Sequence, residues 1–279
     1  MPIRDPDRCY GPQVFRRRPL DQPVQAPRRL AVGRLALEVA GGSVVGHRYP
    51  ENFDVLHVDP DLPLVAVADG MGDGEGSRVA GATAMSTFVA QVRAGWPAVH
   101  AAGLRAATAE TQLRVRRAGA GLAGLTGCTL TALVAEPDGG QGWLVQLGDS
   151  RAYRLRDGLL ELVTVDHTMA WLGLLHGWWP PDSPEAARAR YQLLRYVGHP
   201  DRPEPDLLAV PLHSGDTWLL CTDGVSDQLG YHRLRDLLSA RRDPARTVRA
   251  LLAASLAEGG EDNATAVVVR VHPTLPTPR

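Results

Sequence analysis

Aspartates recur in this sequence where long apolar runs end. Three runs lead into an aspartate directly or across one glycine: Leu64–Ala68 into Asp69, Trp143–Leu147 into Asp149, and Trp218–Thr222 into Asp223. A fourth aspartate, Asp262, comes just before the apolar run Ala264–Val271. Continuous apolar runs predict strands that are buried on both faces, so these carboxylates are expected at the rim of the core.

Carboxylates at the rim of a core need a positive partner, because burying an ionised carboxylate costs several kcal/mol unless it is paired or binds a cation. No matching cluster of lysines or arginines accompanies these four aspartates. Oxygen ligands without cysteine or histidine are typical of sites for Mg²⁺ or Mn²⁺. Each Asp-Gly or Asp-Ser pair alone is equally typical of a turn, but the recurrence favours a metal site.

Short apolar runs alternate with long helical patterns, which predicts an α+β domain that positions these carboxylates. The predicted strands are Leu35–Ala40, Leu64–Ala68, Leu130–Ala135, Gly142–Leu147, Ala152–Leu155, Thr217–Cys221 and Ala264–Val271. The predicted helices are Ser77–Ala94, Ala98–Arg117, Pro184–Leu194, His232–Ser239 and Pro244–Glu258.

The two ends of the chain differ in composition from its middle. Residues 1–34 are basic and rich in proline, which predicts a flexible arm because such a segment cannot bury enough apolar surface to become ordered. Residues 35–271 are predicted to form the domain, and residues 272–279 a C-terminal tail.

Composition also limits the class of protein. The formal net charge is −1, from 30 basic and 31 acidic residues, so we expect no nucleic-acid partner. No apolar stretch approaches the roughly 20 residues of a spanning helix, and the start of the sequence lacks the features of a secretory signal. We therefore expect a cytoplasmic protein without a membrane partner, and a monomer.

Six segments resemble, in order, the motifs of the metal-dependent type 2C serine/threonine phosphatases, the PPM family, and most closely its bacterial branch. The segments read ADGMG at 68–72, GCTL at 127–130, GDSRAY at 148–153, VDHT at 165–168, CTDGVSD at 221–227 and GGEDNAT at 259–265. One such motif is weak evidence, whereas six in this order and spacing are specific.

The resemblance implies a four-layer α-β-β-α sandwich, in which two antiparallel sheets are flanked by helices. It implies that Asp69 bridges two divalent ions, Mn²⁺ or Mg²⁺, that the Gly70 carbonyl joins the second ion, and that Asp223 and Asp262 complete the first. Asp149 matches a ligand of a weaker third ion in bacterial relatives, shared with the Asp223 position.

The activity implied by the resemblance is hydrolysis of phosphoserine or phosphothreonine by a metal-activated water, without a covalent enzyme intermediate. Asp69 and Asp223 are the expected catalytic carboxylates, and Asn263 is expected to support the ligands without binding metal. The implied substrate is a phosphorylated protein, the product of a serine/threonine kinase.

One motif departs from the family pattern. The family places an arginine shortly before N-E-D or N-Q-D, whereas this chain has Asn52-Phe53-Asp54, with Arg48 one residue farther upstream. Arg48 is expected either to bind phosphate or to be an ordinary surface arginine. Asp54 is preferred over Glu51 as an additional metal ligand.

Two further questions stay open at this point. Residues 177–182, with the predicted helix Pro184–Leu194 that follows them, correspond to the family's variable flap. Trp178 and Trp179 lie in this flap, where they either face the substrate or pack on the domain itself. The altered Asn52-Phe53-Asp54 motif also allows a catalytically weak domain that regulates a partner or binds phosphoproteins. Retention of Asp69, Asp223 and Asp262 favours the enzyme.

Overall fold

The computed structural model describes residues 22–240 and 242–274. The strands are β1 Arg28–Val32, β2 Leu35–Val44, β3 Val55–Val58, β4 Leu64–Ala68, β5 Leu130–Ala135, β6 Gln141–Leu147, β7 Arg151–Arg156, β8 Leu159–Leu162, β9 Asp206–Pro211, β10 Thr217–Cys221 and β11 Ala264–Pro273. The helices are α1 Glu75–Gly95, α2 Ala101–Ala118, α3 Met169–His176, α4 Pro184–Ala189, α5 Asp223–Ser226, α6 Tyr231–Ser239 and α7 Pro244–Ala257.

The strands form two antiparallel sheets. One sheet has six strands in the order β1-β2-β11-β10-β7-β8, and the other has five in the order β3-β4-β5-β6-β9. Side chains from both sheets meet in one apolar core between them. This arrangement confirms the predicted α+β class and the two-sheet sandwich.

Helices cover the outer faces of both sheets. The five-stranded sheet packs its outer face on α1 and α2, through residues such as Phe88 and Leu104. The six-stranded sheet packs on α6 and α7, through residues such as Leu238 and Leu251. Strands β4, β5 and β10 are consequently buried along their whole length, which explains their uninterrupted apolar sequences.

The structure corrects the predicted domain boundaries. Residues 28–32 of the predicted arm form the edge strand β1, which pairs with β2 across a turn at Gly33. At the other end β11 continues to Pro273, and the Thr274 N–H donates to the Arg34 carbonyl. Only Val32 of β1 is buried, so the strand lacks the apolar pattern that would have predicted it. The predicted arm residues 1–21 and tail residues 275–279 lie outside the described residues.

Other elements also differ from the prediction. The helix predicted over Pro184–Leu194 ends at Ala189. Strands β3, β8 and β9 were not predicted, because short half-exposed strands carry a weak periodic signal. Helix α3, which has only eight residues, was not predicted either. None of the helices in the described part of the chain is long and apolar enough to span a membrane.

Candidate active site

The carboxylates that end the apolar runs meet at one end of the sandwich. Asp69 directly follows β4, Asp149 lies in the turn between β6 and β7, Asp223 begins α5 after β10, and Asp262 precedes β11. All four line one cleft of about 250 Å³. The predicted convergence of the strand ends is therefore found in the structure.

Hydrogen bonds at Asp69 and a close backbone approach at Gly224 fix the segments that form the cleft. The Asp69 N–H donates to Thr129 Oγ1 at 2.8 Å, and the Thr129 N–H donates back to the Asp69 carbonyl at 2.8 Å. Gly224 lies so close to the Asn263 carbonyl that an added Cβ would be 2.0 Å from that oxygen. Only glycine allows this approach, which brings the start of α5 beside the Asp262 segment.

His167 holds the turn that carries Asp149. Its buried Nδ1 accepts a hydrogen bond from the Gly148 N–H at 3.1 Å, and its Nε2 lies 3.0 Å from Asp206 Oδ2. Arg195 also pairs with Asp206, at 2.8 Å. The motif at 165–168 contains His167 but predicts no role for it, because its partners Gly148 and Asp206 are far away in the chain.

Asp54 is a buried member of the carboxylate group. It is 2% exposed, and its Oδ2 accepts hydrogen bonds from Thr222 Oγ1 at 2.8 Å and Thr265 Oγ1 at 2.6 Å. Burial raises the pKa of Asp54 more than these hydrogen bonds lower it, and Asp223 and Asp262 raise it further. Glu51, the alternative ligand, is instead exposed and lies 3.9 Å from the Arg78 guanidinium.

The four carboxyls that line the cleft also hold their protons unusually strongly. Burial, followed by repulsion from neighbouring carboxylates, raises the pKa of Asp69 and of Asp149 well above the usual range. Burial is also the main cause that raises the pKa of Asp223 to about 7, with Asp262 next. The pKa of Asp262 is raised by burial and lowered by a hydrogen bond from the Asn263 N–H. The cleft therefore repels negative charge unless a cation is present.

The chemistry of these donors fits hard divalent ions. No Lys or Arg of the described residues forms an ion pair with Asp54, Asp69, Asp149, Asp223 or Asp262. The Asp223 Oδ1 atom is buried and has no hydrogen-bond partner among the residues that the structure describes. The cleft lining supplies carboxylate oxygens, the kind of ligand that suits Mg²⁺ or Mn²⁺.

Arg48 does not line the cleft but lies beside it, next to the lining residue Tyr49. Its guanidinium is 5.1 Å from the centroid of the Tyr49 ring, and its positive charge lowers the pKa of Asp262. The Arg48 N–H donates to the Glu261 carbonyl at 3.0 Å, which joins this loop to the Asp262 segment. Arg48 is exposed and has no carboxylate within 4 Å among the described residues, so its guanidinium is available to an anion.

Several cleft residues were not predicted as site residues. Tyr49, Phe53, Tyr191 and Leu193 all line the cleft. Phe53 occupies the position of the missing acid, and its N–H donates to Asn263 Oδ1 at 2.7 Å. Aromatic residues next to a suspected phosphate ligand were the available signal, but their direction depends on the fold.

The two flap tryptophans have different surroundings. Trp178 is half-exposed and stacks on His176, with ring centroids 5.2 Å apart. It lines neither the cleft that holds the four aspartates, called the metal cleft from here on, nor a second cavity beside that cleft. Trp179 packs against Gly173 of α3 and lines this second cavity. Tyr191, at 77% exposed, is the flap aromatic that reaches the metal cleft itself.

Comparison with known proteins identifies consistent similarities. The sequence profile described as Protein phosphatase 2C matches residues 52–259. The chain is 29% identical over 234 residues to the serine/threonine phosphatase stp of Listeria welshimeri, covering 81% of this chain and 91% of that protein.

Solved structures agree with the sequence comparison. The PPM Ser-Thr phosphatase MsPP from Mycobacterium smegmatis, in complex with cacodylate, has a TM-score of 0.73 and 32% identity over 83% of this chain and 97% of its own. The catalytic domain of PstP in complex with two manganese ions has a TM-score of 0.71 and 31% identity, covering 85% of this chain and 99% of that one.

Proposed function

Since the chain belongs to the protein phosphatase 2C family and is a metal-dependent serine/threonine phosphatase, we propose specific roles for its cleft residues in the hydrolysis of phosphoproteins. One observation carries the assignment. Four carboxylates next to separate strand ends share one cleft, and none of them forms an ion pair with a lysine or arginine among the described residues.

In this proposal Asp69, Asp223 and Asp262, with the Gly70 carbonyl, hold two divalent ions, Mn²⁺ or Mg²⁺. When bound, the ions activate a water molecule and neutralise the phosphoryl oxygens. Asp149 holds a weaker third ion. Asn263 orients Phe53 and the Asp262 segment through its backbone and side-chain hydrogen bonds.

Arg48 is proposed to bind the phosphoryl group. Its planar guanidinium can donate two parallel hydrogen bonds to phosphate oxygens, and the contact with the Tyr49 ring restricts where it points. Asp54 contributes negative charge close to Asp69, and hydrogen bonds from the hydroxyls of Thr222 and Thr265 orient its carboxylate. Glu51 takes no part.

The physiological setting is part of the same proposal. The substrates are phosphoproteins, made by a serine/threonine kinase, and the enzyme acts as a cytoplasmic monomer. Absence of any turnover would favour the alternative, a phosphatase-like domain with a regulatory role, for which Phe53 at the acid position is the supporting observation.

The test is turnover of p-nitrophenyl phosphate and a phosphothreonine peptide with EDTA, Mg²⁺ or Mn²⁺. We expect metal-dependent release that falls by about a hundredfold or more in Asp69→Asn, since the variant loses a charged ligand from the site. Asp236→Asn, on the exposed face of α6, is the matched control and should keep wild-type turnover. Activity that survives EDTA, or that Asp69→Asn leaves intact, would contradict the assignment.

A further inference from the structure

A second cavity, of about 380 Å³, lies beside the metal cleft. Its apolar wall comes from α3 and the flap that follows it, and consists of Ala170, Trp171, Leu174, Trp179, Pro181 and Ala186. Its polar side carries Arg151, Asp166, Ser226 and Asp227, with Arg190 at the end of α4. The cavity is therefore amphipathic, with aromatic rings facing charged groups.

The two cavities are adjacent. Three short segments contribute to both: Asp149 lines the cleft and Arg151 the second cavity, Tyr191 lines the cleft and Arg190 the second cavity, and Asp223 lines the cleft while Ser226 and Asp227 line the second cavity. Consecutive Cα atoms are about 3.8 Å apart, so a peptide with its phosphoresidue in the metal cleft has a flanking side chain within reach of the second cavity.

One carboxylate in this cavity lacks a partner. Arg151 and Asp166 neutralise each other in a close ion pair, with Nη2 at 2.6 Å from Oδ2. Asp227 forms no ion pair within 4 Å and accepts no side-chain hydrogen bond from the described residues, although it lies in the field of Arg151 and Arg190. The Ser226 Oγ atom beside it is buried and also has no hydrogen-bond partner there.

The formal charges of the four charged lining residues, Arg151, Arg190, Asp166 and Asp227, sum to zero, so net charge does not choose the occupant. The choice comes from the groups that face the cavity. Asp227 is a carboxylate without an ion pair among the described residues, and the rings of Trp171 and Trp179 can attract a cation through their faces. A basic side chain can interact with the carboxylate and the rings together, whereas an acidic one could interact only with the arginines.

We propose that the second cavity binds the side chain of a lysine or arginine that flanks the phosphoserine or phosphothreonine of the substrate. This specificity rests on the proposed function. The aliphatic stem packs on Trp171 and Trp179, and the cationic group interacts with Asp227 and the Ser226 hydroxyl.

The test compares phosphothreonine peptides that carry arginine, leucine or glutamate at one flanking position at a time. With the full chain and Mn²⁺, kcat/KM for the arginine peptide should exceed that for leucine by about fivefold, and that for glutamate by about tenfold, at one position. Asp227→Asn should remove most of this preference, and Asp227→Lys should reverse it. Ratios between peptides cancel any change in metal chemistry that is common to all of them.

Trp171→Ala should lower kcat/KM for the arginine and leucine peptides alike, and its matched control Trp178→Ala should leave both unchanged. Ratios within twofold at every flanking position, or an arginine preference that survives Asp227→Asn, would overturn the proposal. Turnover of p-nitrophenyl phosphate by the same wild-type protein separates the two hypotheses. If it persists while peptide ratios are flat, only the pocket assignment fails; if it is absent, the proposed function fails as well.

Discussion

At the scale of single residues, the cleft places carboxylates where their charges oppose folding. Asp54 is buried close to Asp69, and desolvation followed by the charges of Asp223 and Asp262 raises the pKa of each. Such a cluster stores unfavourable energy in the metal-free protein, which binding of cations relieves. Function, rather than stability, explains why these residue types stand there.

Asp54 and Glu51 are distinguished by a pair of conservative variants. Asp54→Asn should lower Mn²⁺-dependent turnover by about tenfold to hundredfold, because a buried charge next to Asp69 is lost. Its metal-free melting temperature should stay equal or rise, because the amide removes repulsion while its oxygen still accepts from Thr222 and Thr265. Glu51→Gln should change turnover by less than about twofold, since its contact with Arg78 is an exposed ion pair.

Steady-state kinetics with Mn²⁺ titration and thermal unfolding of both variants would check this prediction. Equal losses of activity in Asp54→Asn and Glu51→Gln would show that the two acids contribute together. A metal-free Asp54→Asn protein that melts well below the wild type would contradict the view that this charge destabilises the fold.

At the scale of elements, loops depend on contacts that are distant in sequence. The β6–β7 turn carries Asp149, and its conformation depends on Gly148, whose φ is +106° and whose N–H donates to His167. The His167 carbonyl in turn accepts from the Leu194 N–H, where the flap returns to the domain. One histidine therefore links the turn that carries Asp149 to the flap.

Replacement of His167 by alanine should loosen both segments. The variant leaves the Gly148 N–H unpaired, removes a partner of Asp206, and should lower the free energy of unfolding by about 1–3 kcal/mol. Urea unfolding monitored by circular dichroism measures this change. His213→Ala, in an exposed turn, is the control and should stay within about 0.5 kcal/mol of the wild type. Equal stability of both variants would mean that the β6–β7 turn holds itself.

At the scale of the whole molecule, metal binding and stability are linked through protons. The pKa of Asp223 rises from 3.8 to about 7 on folding, so between these values the folded state binds more protons than the unfolded state. Its contribution to stability is therefore present at low pH and is lost as the pH rises through about 7.

The metal-free protein should accordingly lose up to about 3 kcal/mol between pH 4 and pH 7 from this group. Asp223→Asn should show a flatter pH dependence over the same range, since the amide does not titrate. Mn²⁺ should raise the melting temperature of the wild type more at pH 7.5 than at pH 5.5, because binding requires the ionised carboxylate. Differential scanning calorimetry with and without Mn²⁺ tests both statements, and a wild-type curve parallel to that of Asp223→Asn would contradict them.

By itself the sequence determined the sheet cores and the metal-cleft carboxylates. Strands such as β4, β5 and β10 begin and end as predicted, because burial on both faces requires uninterrupted apolar residues. The aspartates are adjacent to strand ends in the sequence, so they come together once those strand ends lie at the same edge of the sandwich.

Tertiary structure alone decided the features that depend on distant partners. Strand β1 exists because the edge of β2 is available to it, although its own residues are mostly exposed. The surroundings of the two acids are also tertiary features: Asp54 is buried against Thr222 and Thr265, whereas Glu51 is exposed beside Arg78. The second cavity depended on α3, the flap and α5 lining one space, although they are far apart in the sequence and no local pattern encodes their meeting.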